Sequence, residues 1–264
     1  MRFNGDSYDT RNNMPRFFGD KLSMGTGLYF YFRFLRLIYL TNKIIKKGKF
    51  STQAWCESSY YNIDTLEGCG AKLHIRGLDN IRKTKGPVVF VGNHMSTLET
   101  FALPGIICPI KPSSFIVKQN LIHDRFFGRI IKATQPIAVT RTKPIKDYKT
   151  VMTQGEKLLD SGRSVIVFPQ STRDVHFIPE KFGTIGNKLA RKAGVPIIPI
   201  AIKTDFWGNG KILKDIGPIS RGKEVYFEFA PPMNITGNGK TEHDKVISFI
   251  QQKLTEWKNE SVKQ

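Results

Sequence analysis

The chain has 264 residues, 40% of them hydrophobic, and a formal charge of +19. That length suits one sizeable α/β domain with an appendage, and the charge favours anionic partners: nucleic acid, an anionic membrane or phosphorylated substrates. Nucleic acid is the least suited, because no zinc-finger spacing, basic zipper or aromatic RNA-binding signature occurs and the basic residues are spread rather than blocked.

Residues Met1 to Asp20 are polar and are expected to be loosely ordered. The run Leu28 to Leu40 is aromatic and aliphatic, interrupted by Arg33 and Arg36. It is too short to span a bilayer and lacks the cleavage site of a signal peptide. On a helix, Arg33, Arg36, Lys43 and Lys47 share one side. That is the pattern of a helix lying in a membrane interface, with its basic face toward anionic headgroups. The alternative is a helix packed on the protein's own core with its basic residues solvated. A second helix is expected over Thr52 to Asn62, and the chain is expected to divide into residues 1–70 and 71–264.

Beyond residue 70 the pattern alternates. Lys72 to Arg76 reads as a half-buried strand, with His74 on its solvated face. Pro87 to Val91 reads as a buried strand and Leu98 as the start of a helix. Strands follow at Ser114–Lys118, Pro136–Arg141, Val165–Phe168, Ile197–Ile202 and Val225–Phe229. Helices are expected over Arg125–Ala133, Ile145–Asp160, Thr184–Ala193 and His243–Trp257. The fold class is α/β: a mixed, largely parallel sheet covered by helices, with an amphipathic helical appendage at the amino terminus.

His94 stands at the exit of the second strand and Glu99 at the start of the helix that follows, five residues apart. A histidine with a nearby carboxylate is a minimal general base. Ser96 and Glu99 also have the capping-box spacing, so Glu99 has a structural alternative. His123, His176 and His243 lack a carboxylate at a telling distance and are read as structural or surface residues. Cys56, Cys69 and Cys108 show no disulfide or metal spacing and are read as reduced structural thiols; no metal site is expected. Walker, dinucleotide-binding and nucleophile-elbow motifs are absent.

Four segments in order carry a resemblance. They are His94 to Glu99; the strand ending at Arg141; Phe168, Pro169, Thr172 and Arg173; and the proline-containing strand Val195 to Ile200. Together they resemble the four blocks of the glycerolipid (1-acylglycerol-3-phosphate) acyltransferases. The resemblance covers roughly Leu73 to Phe229. Gln170 and Ser171 depart from it, standing where the family has Glu and Gly.

The resemblance implies transfer of a fatty acyl group from a thioester, on coenzyme A or acyl carrier protein, to a lipid hydroxyl. His94 would deprotonate that hydroxyl while Glu99 holds the imidazole. Arg141 and Arg173 would bind the acceptor's phosphate, with Gln170, Ser171 and Thr172 lining that region and Asn93 and Ser96 supporting the dyad. Backbone amides near Gly92 or Ser171 are the expected oxyanion donors. The thioester is already activated, so no covalent intermediate and no cofactor are needed. The expected place is the cytoplasmic face of a membrane, with membrane lipids and the acyl carrier as partners and no nucleic acid. Neutral Gln170 is expected to shift acceptor preference. Two rivals remain open: an acyltransferase for another lyso-acceptor, and a non-catalytic lipid-binding protein that kept the fold.

Overall fold

The computed structural model describes residues 2–170, 172–211 and 213–262. Its strands are β1 (Tyr8–Asp9), β2 (Leu73–Arg76), β3 (Val89–Gly92), β4 (Ser113–Lys118), β5 (Ile137–Val139), β6 (Ser164–Val167), β7 (Ile197–Lys203) and β8 (Val225–Phe229). Its helices are α1 (Phe18–Leu22), α2 (Leu28–Lys46), α3 (Thr52–Gly68), α4 (Leu78–Lys83), α5 (Leu98–Ile107), α6 (Gly128–Ala133), α7 (Pro144–Asp160), α8 (Ile185–Ala193) and α9 (Lys240–Val262). The strands form one sheet in the order β1-β2-β8-β7-β3-β6-β4-β5. Only the β1–β2 and β7–β8 pairs are antiparallel. The rest pair in parallel, which is why β3, β6 and β7 read as near-continuous apolar runs: both faces are covered.

Two cores lie on opposite faces of the sheet. One joins Phe90, Ile198 and Ile200 to α3 and α5; the other joins Val89, Val91 and Val165 to α7, α8 and α9. In α5, Pro104 lacks the amide that would continue the helical ladder. Ser59 Oγ of α3 meets that break by donating to Phe101 O at 2.6 Å and accepting from Gly105 N at 2.8 Å. A Cβ on Gly105 would lie 2.7 Å from that oxygen, so glycine permits the close α3–α5 approach.

Residues 2–20 are built into the fold, against expectation. β1 pairs with β2, Phe3 is buried, and Glu67 of α3 collects hydrogen bonds from Arg2, Tyr8 and Thr10. A buried carboxylate requires such partners. This network ties the polar amino-terminal segment to the body.

Helix α2 also departs from the expected two-sided pattern. Phe30, Phe34 and Leu37 enter the core, where Phe30 and Phe34 meet Trp207 edge-on. Arg33 faces the protein rather than solvent, stacked over Phe17 and Tyr61 and donating to Thr65 Oγ1. A second apolar stripe, Leu28, Phe32, Leu35 and Tyr39, stays exposed, with Phe18 and Leu22 of α1 exposed as well. Among the described residues, no helix is long and apolar enough to cross a membrane.

Candidate active site

β3 delivers its exit loop to the carboxyl end of the parallel strands, where open α/β sheets place their ligands. Asn93 clamps that loop to the next strand: its Nδ2 donates to Ile202 O at 2.7 Å and its Oδ1 accepts from Ile202 N at 2.9 Å. The loop then turns into α5, placing Glu99 in the first turn, where the helix dipole favours a carboxylate.

Glu99 is fully buried. Its Oε1 accepts from His94 Nδ1 at 2.9 Å and from the amides of Met95 and Ser96 at 2.6 and 2.8 Å. Its Oε2 accepts from the hydroxyls of Ser96 and Thr204 at 3.1 and 2.6 Å. Burial alone would push this carboxyl up, but the bond from His94, its nearby charge and the Thr204 and Ser96 donors hold it below the ordinary range. The dyad and capping readings are therefore not alternatives: one oxygen does both. With Nδ1 given to the carboxylate, Nε2 is the nitrogen left for substrate. The imidazole stacks on Phe168 at 4.5 Å, which fixes the ring plane.

Gln170 is buried beneath the dyad. Its Oε1 accepts from His94 N at 2.6 Å, while His94 O accepts from Asp174 N at 3.0 Å. The third block and the residue that follows it thus bracket the histidine backbone from both sides. Gln170, expected to line the region of the acceptor's phosphate, instead meets the histidine backbone. The amide carbonyl of Gln accepts from a backbone N–H as a carboxylate would, so the substitution keeps this brace and changes only its charge. Because the amides of His94, Met95 and Ser96 are committed to Gln170 and Glu99, they are not the spare oxyanion donors sought near Gly92. Ser171 lies outside the described residues.

His94 opens onto a cavity of about 450 Å³. Its lining mixes apolar side chains, among them Leu37 and Ile38 of α2 with Phe101, Phe115, Phe127 and Ile130, and polar ones that include the cations Lys118, Arg141, Arg173 and Lys214 with Thr172 and the carboxylate of Asp215. Of the residues singled out by sequence, His94, Arg141, Thr172 and Arg173 share this cavity, whereas Asn93, Ser96, Glu99 and Gln170 lie behind it. His123, His176 and His243 do not line it. No group of His, Cys, Asp and Glu fit to hold a metal occurs among the described residues.

Arg141 sits with φ of +61° at the end of β5, a left-handed conformation rare outside glycine. Asp147 in the first turn of α7 holds that turn. It accepts from Thr140 N at 2.8 Å, Thr140 Oγ1 at 3.0 Å and Arg141 N at 2.6 Å. Burial would raise the Asp147 carboxyl, but these donors hold it below its ordinary range. Arg173 bonds to Thr97 Oγ1 and, at 2.6 Å, to the Asp215 carboxylate. Lys118, Thr204, Lys214 and Asp215 escaped the sequence reading. Each lies outside the four blocks, and only the position of Thr204 immediately after β7 hinted at proximity.

Comparison with known proteins agrees with this geometry. The acyltransferase family model matches residues 72–203. The chain belongs to the acyltransferase family. This acyltransferase is 30% identical over 215 residues to the 1-acyl-sn-glycerol-3-phosphate acyltransferase of Pseudomonas aeruginosa, covering 81% of the chain and 77% of that protein. It is 26% identical over 200 residues to the protein of the same description from Borreliella burgdorferi, covering 74% of each. Its fold resembles the crystal structure of the 1-acyl-sn-glycerophosphate (LPA) acyltransferase from Thermotoga maritima. The TM-score is 0.62 at 18% identity, over 90% of this chain and 98% of that one. The matched segment begins at β2 and ends with β7, so it contains all four blocks and the whole sheet except β1 and β8.

Proposed function

We propose that this acyltransferase moves a fatty acyl group from an acyl thioester to the free hydroxyl of 1-acylglycerol-3-phosphate, giving phosphatidic acid. The observation that carries this reading is the mixed lining of the cavity at His94: apolar side chains suited to an acyl chain, and four cations suited to a phosphate. His94 Nε2 takes the hydroxyl proton as the oxygen attacks the thioester carbonyl, and Glu99 stabilises the imidazolium that forms. Collapse of the tetrahedral species expels the thiolate, to which the imidazolium returns the proton. Arg173 and Arg141 hold the phosphate, since a guanidinium fork binds two oxygens at once. The relatives from Pseudomonas aeruginosa and Borreliella burgdorferi are named for the same acceptor. The donor is coenzyme A or acyl carrier protein.

The exposed stripe Leu28, Phe32, Leu35 and Tyr39 lies on the helix whose opposite face walls the cavity. In this reading residues 1–70 bring the cavity to a membrane surface without spanning it, residues 71–264 carry the chemistry, and Arg36, Lys43 and Lys46, at the exposed edge of α2, meet anionic headgroups. The membrane face is the cytoplasmic one, where the acyl carriers are available. Mass spectrometry of products made by the purified protein from mixed lyso-acceptors and acyl thioesters tests the reading. Phosphatidic acid as the main product supports it; preferential acylation of a lyso-amino-acid lipid or a glycan refutes it.

A further inference from the structure

The connection between β7 and β8 contributes Lys214 and Asp215 to the cavity lining and lies outside all four sequence blocks. Trp207 anchors it in the core against Phe30 and Phe34. Asn209 Nδ2 donates to Met95 O at 2.9 Å, and the Tyr31 hydroxyl both donates to Gly217 O at 2.5 Å and accepts from Gly217 N at 2.8 Å. Between these pins stand Lys214 and Asp215. Lys214 Nζ donates to Thr172 Oγ1 at 2.8 Å. The Asp215 carboxylate accepts from Thr97 Oγ1 at 2.8 Å and from Arg173 Nη1 at 2.6 Å. The Asp215 side chain is 36% exposed and that of Arg173 16%.

This places an anion of the chain itself on the guanidinium read above as the phosphate ligand. Carboxylate and phosphate present oxygens of similar spacing to arginine. We propose that Asp215 is an internal stand-in for the acceptor's phosphate, and that with Lys214 it sets selectivity for a phosphate monoester headgroup. The inference rests on the assignment of Arg173 to the acceptor's phosphate. A monoester near charge −2 outcompetes the single charge of Asp215 for Arg173, and it gains Lys214 as well. A neutral headgroup has nothing with which to displace the carboxylate, so Arg173 and Thr97 stay closed to it. The result is discrimination by exchange of one anion for another.

The test measures kcat and KM for 1-acylglycerol-3-phosphate and for monoacylglycerol in Asp215→Asn, Asp215→Ser, Lys214→Met and Arg173→Ala. It also measures inhibition by inorganic phosphate. Removing a competing carboxylate from a partly exposed pair should lower KM for the phosphorylated acceptor about threefold to tenfold and tighten phosphate inhibition to a similar degree. Lys214→Met should raise that KM about tenfold and shift the kcat/KM ratio toward monoacylglycerol. If both Asp215 variants instead raise KM for the phosphorylated acceptor, or leave it and phosphate inhibition unmoved, the stand-in role is wrong. Arg173→Ala separates the two layers of the argument. Equal loss on both acceptors refutes the phosphate assignment of Arg173 itself. Selective loss on the phosphorylated one, with Asp215→Asn failing to lower its KM, refutes only the stand-in.

Discussion

Replacing Glu99 by Gln removes one charge and preserves nearly all the geometry. Gln can place its carbonyl oxygen where Oε1 now accepts from His94 Nδ1 and the amides of Met95 and Ser96. Its NH₂ then faces the hydroxyls of Ser96 and Thr204, which can rotate to accept. The lost quantity is the attraction between the carboxylate and the imidazolium that forms as the substrate hydroxyl is deprotonated. At a charge separation of about 4 Å and an effective dielectric of about 20, that attraction is about 4 kcal/mol, or roughly a thousandfold in rate. The assay is steady-state release of free thiol from the acyl thioester with lysophosphatidic acid present, alongside thermal unfolding. The account predicts kcat down about a thousandfold, KM little changed and a cooperative melt. A folded Glu99→Gln enzyme within threefold of wild type would refute the dyad and leave Glu99 as a helix cap alone.

Further predictions follow from the same geometry. Because the folded Glu99 carboxyl lies below its ordinary value of 4.5, its stabilisation is present above that pH and fades as pH falls through the folded pKa. The Tm advantage of wild type over Glu99→Gln should therefore shrink as melts are taken from neutral pH down past about 4.5. Phe32→Asp with Leu35→Asp should weaken binding to anionic vesicles at least tenfold, at about 1.5–3 kcal/mol per buried apolar side chain, while Tm holds, because both are exposed. Phe34→Ala, on the buried face, should instead cost about 3–5 kcal/mol of stability in denaturant titration. Asp147→Ala should mimic Arg141→Ala, raising KM for lysophosphatidic acid more than it lowers kcat, since it releases the left-handed turn at Arg141. Gln170→Glu should leave the ratio of kcat/KM between phosphorylated and neutral acceptors within about twofold, because the side chain braces His94 N rather than the acceptor.

The dyad was legible because His94 and Glu99 lie within one turn-and-helix segment, where local spacing determines proximity. The buried strands were legible because parallel strands covered on both faces become apolar runs such as Val165 to Val167. Other features depend on contacts between distant parts of the chain. β1 is two residues long and is held by pairing to β2 and by the Glu67 network, neither of which leaves a periodic trace. Arg33 looks solvated on a helical wheel, but its partners come from Phe17 and α3. Gln170 was read by its usual chemistry, and its actual partner is a backbone amide, which sequence does not announce. The Lys214–Asp215 pair lies in a connection without repeat or motif, brought to Arg173 by tertiary anchors such as Trp207, Asn209 and Tyr31.

The central claim is that His94 catalyses acyl transfer to a phosphorylated lyso-acceptor in the cavity it lines. The most direct measurement incubates wild type and His94→Ala with lysophosphatidic acid and either acyl-coenzyme A or acyl carrier protein thioester, and quantifies phosphatidic acid and free thiol together. The account predicts equimolar phosphatidic acid and thiol from wild type with at least one donor. It predicts a loss of at least about a hundredfold in His94→Ala, whose melting curve stays cooperative. Phosphatidic acid formed by His94→Ala at the wild-type rate, or none formed by wild type with either donor, would contradict it.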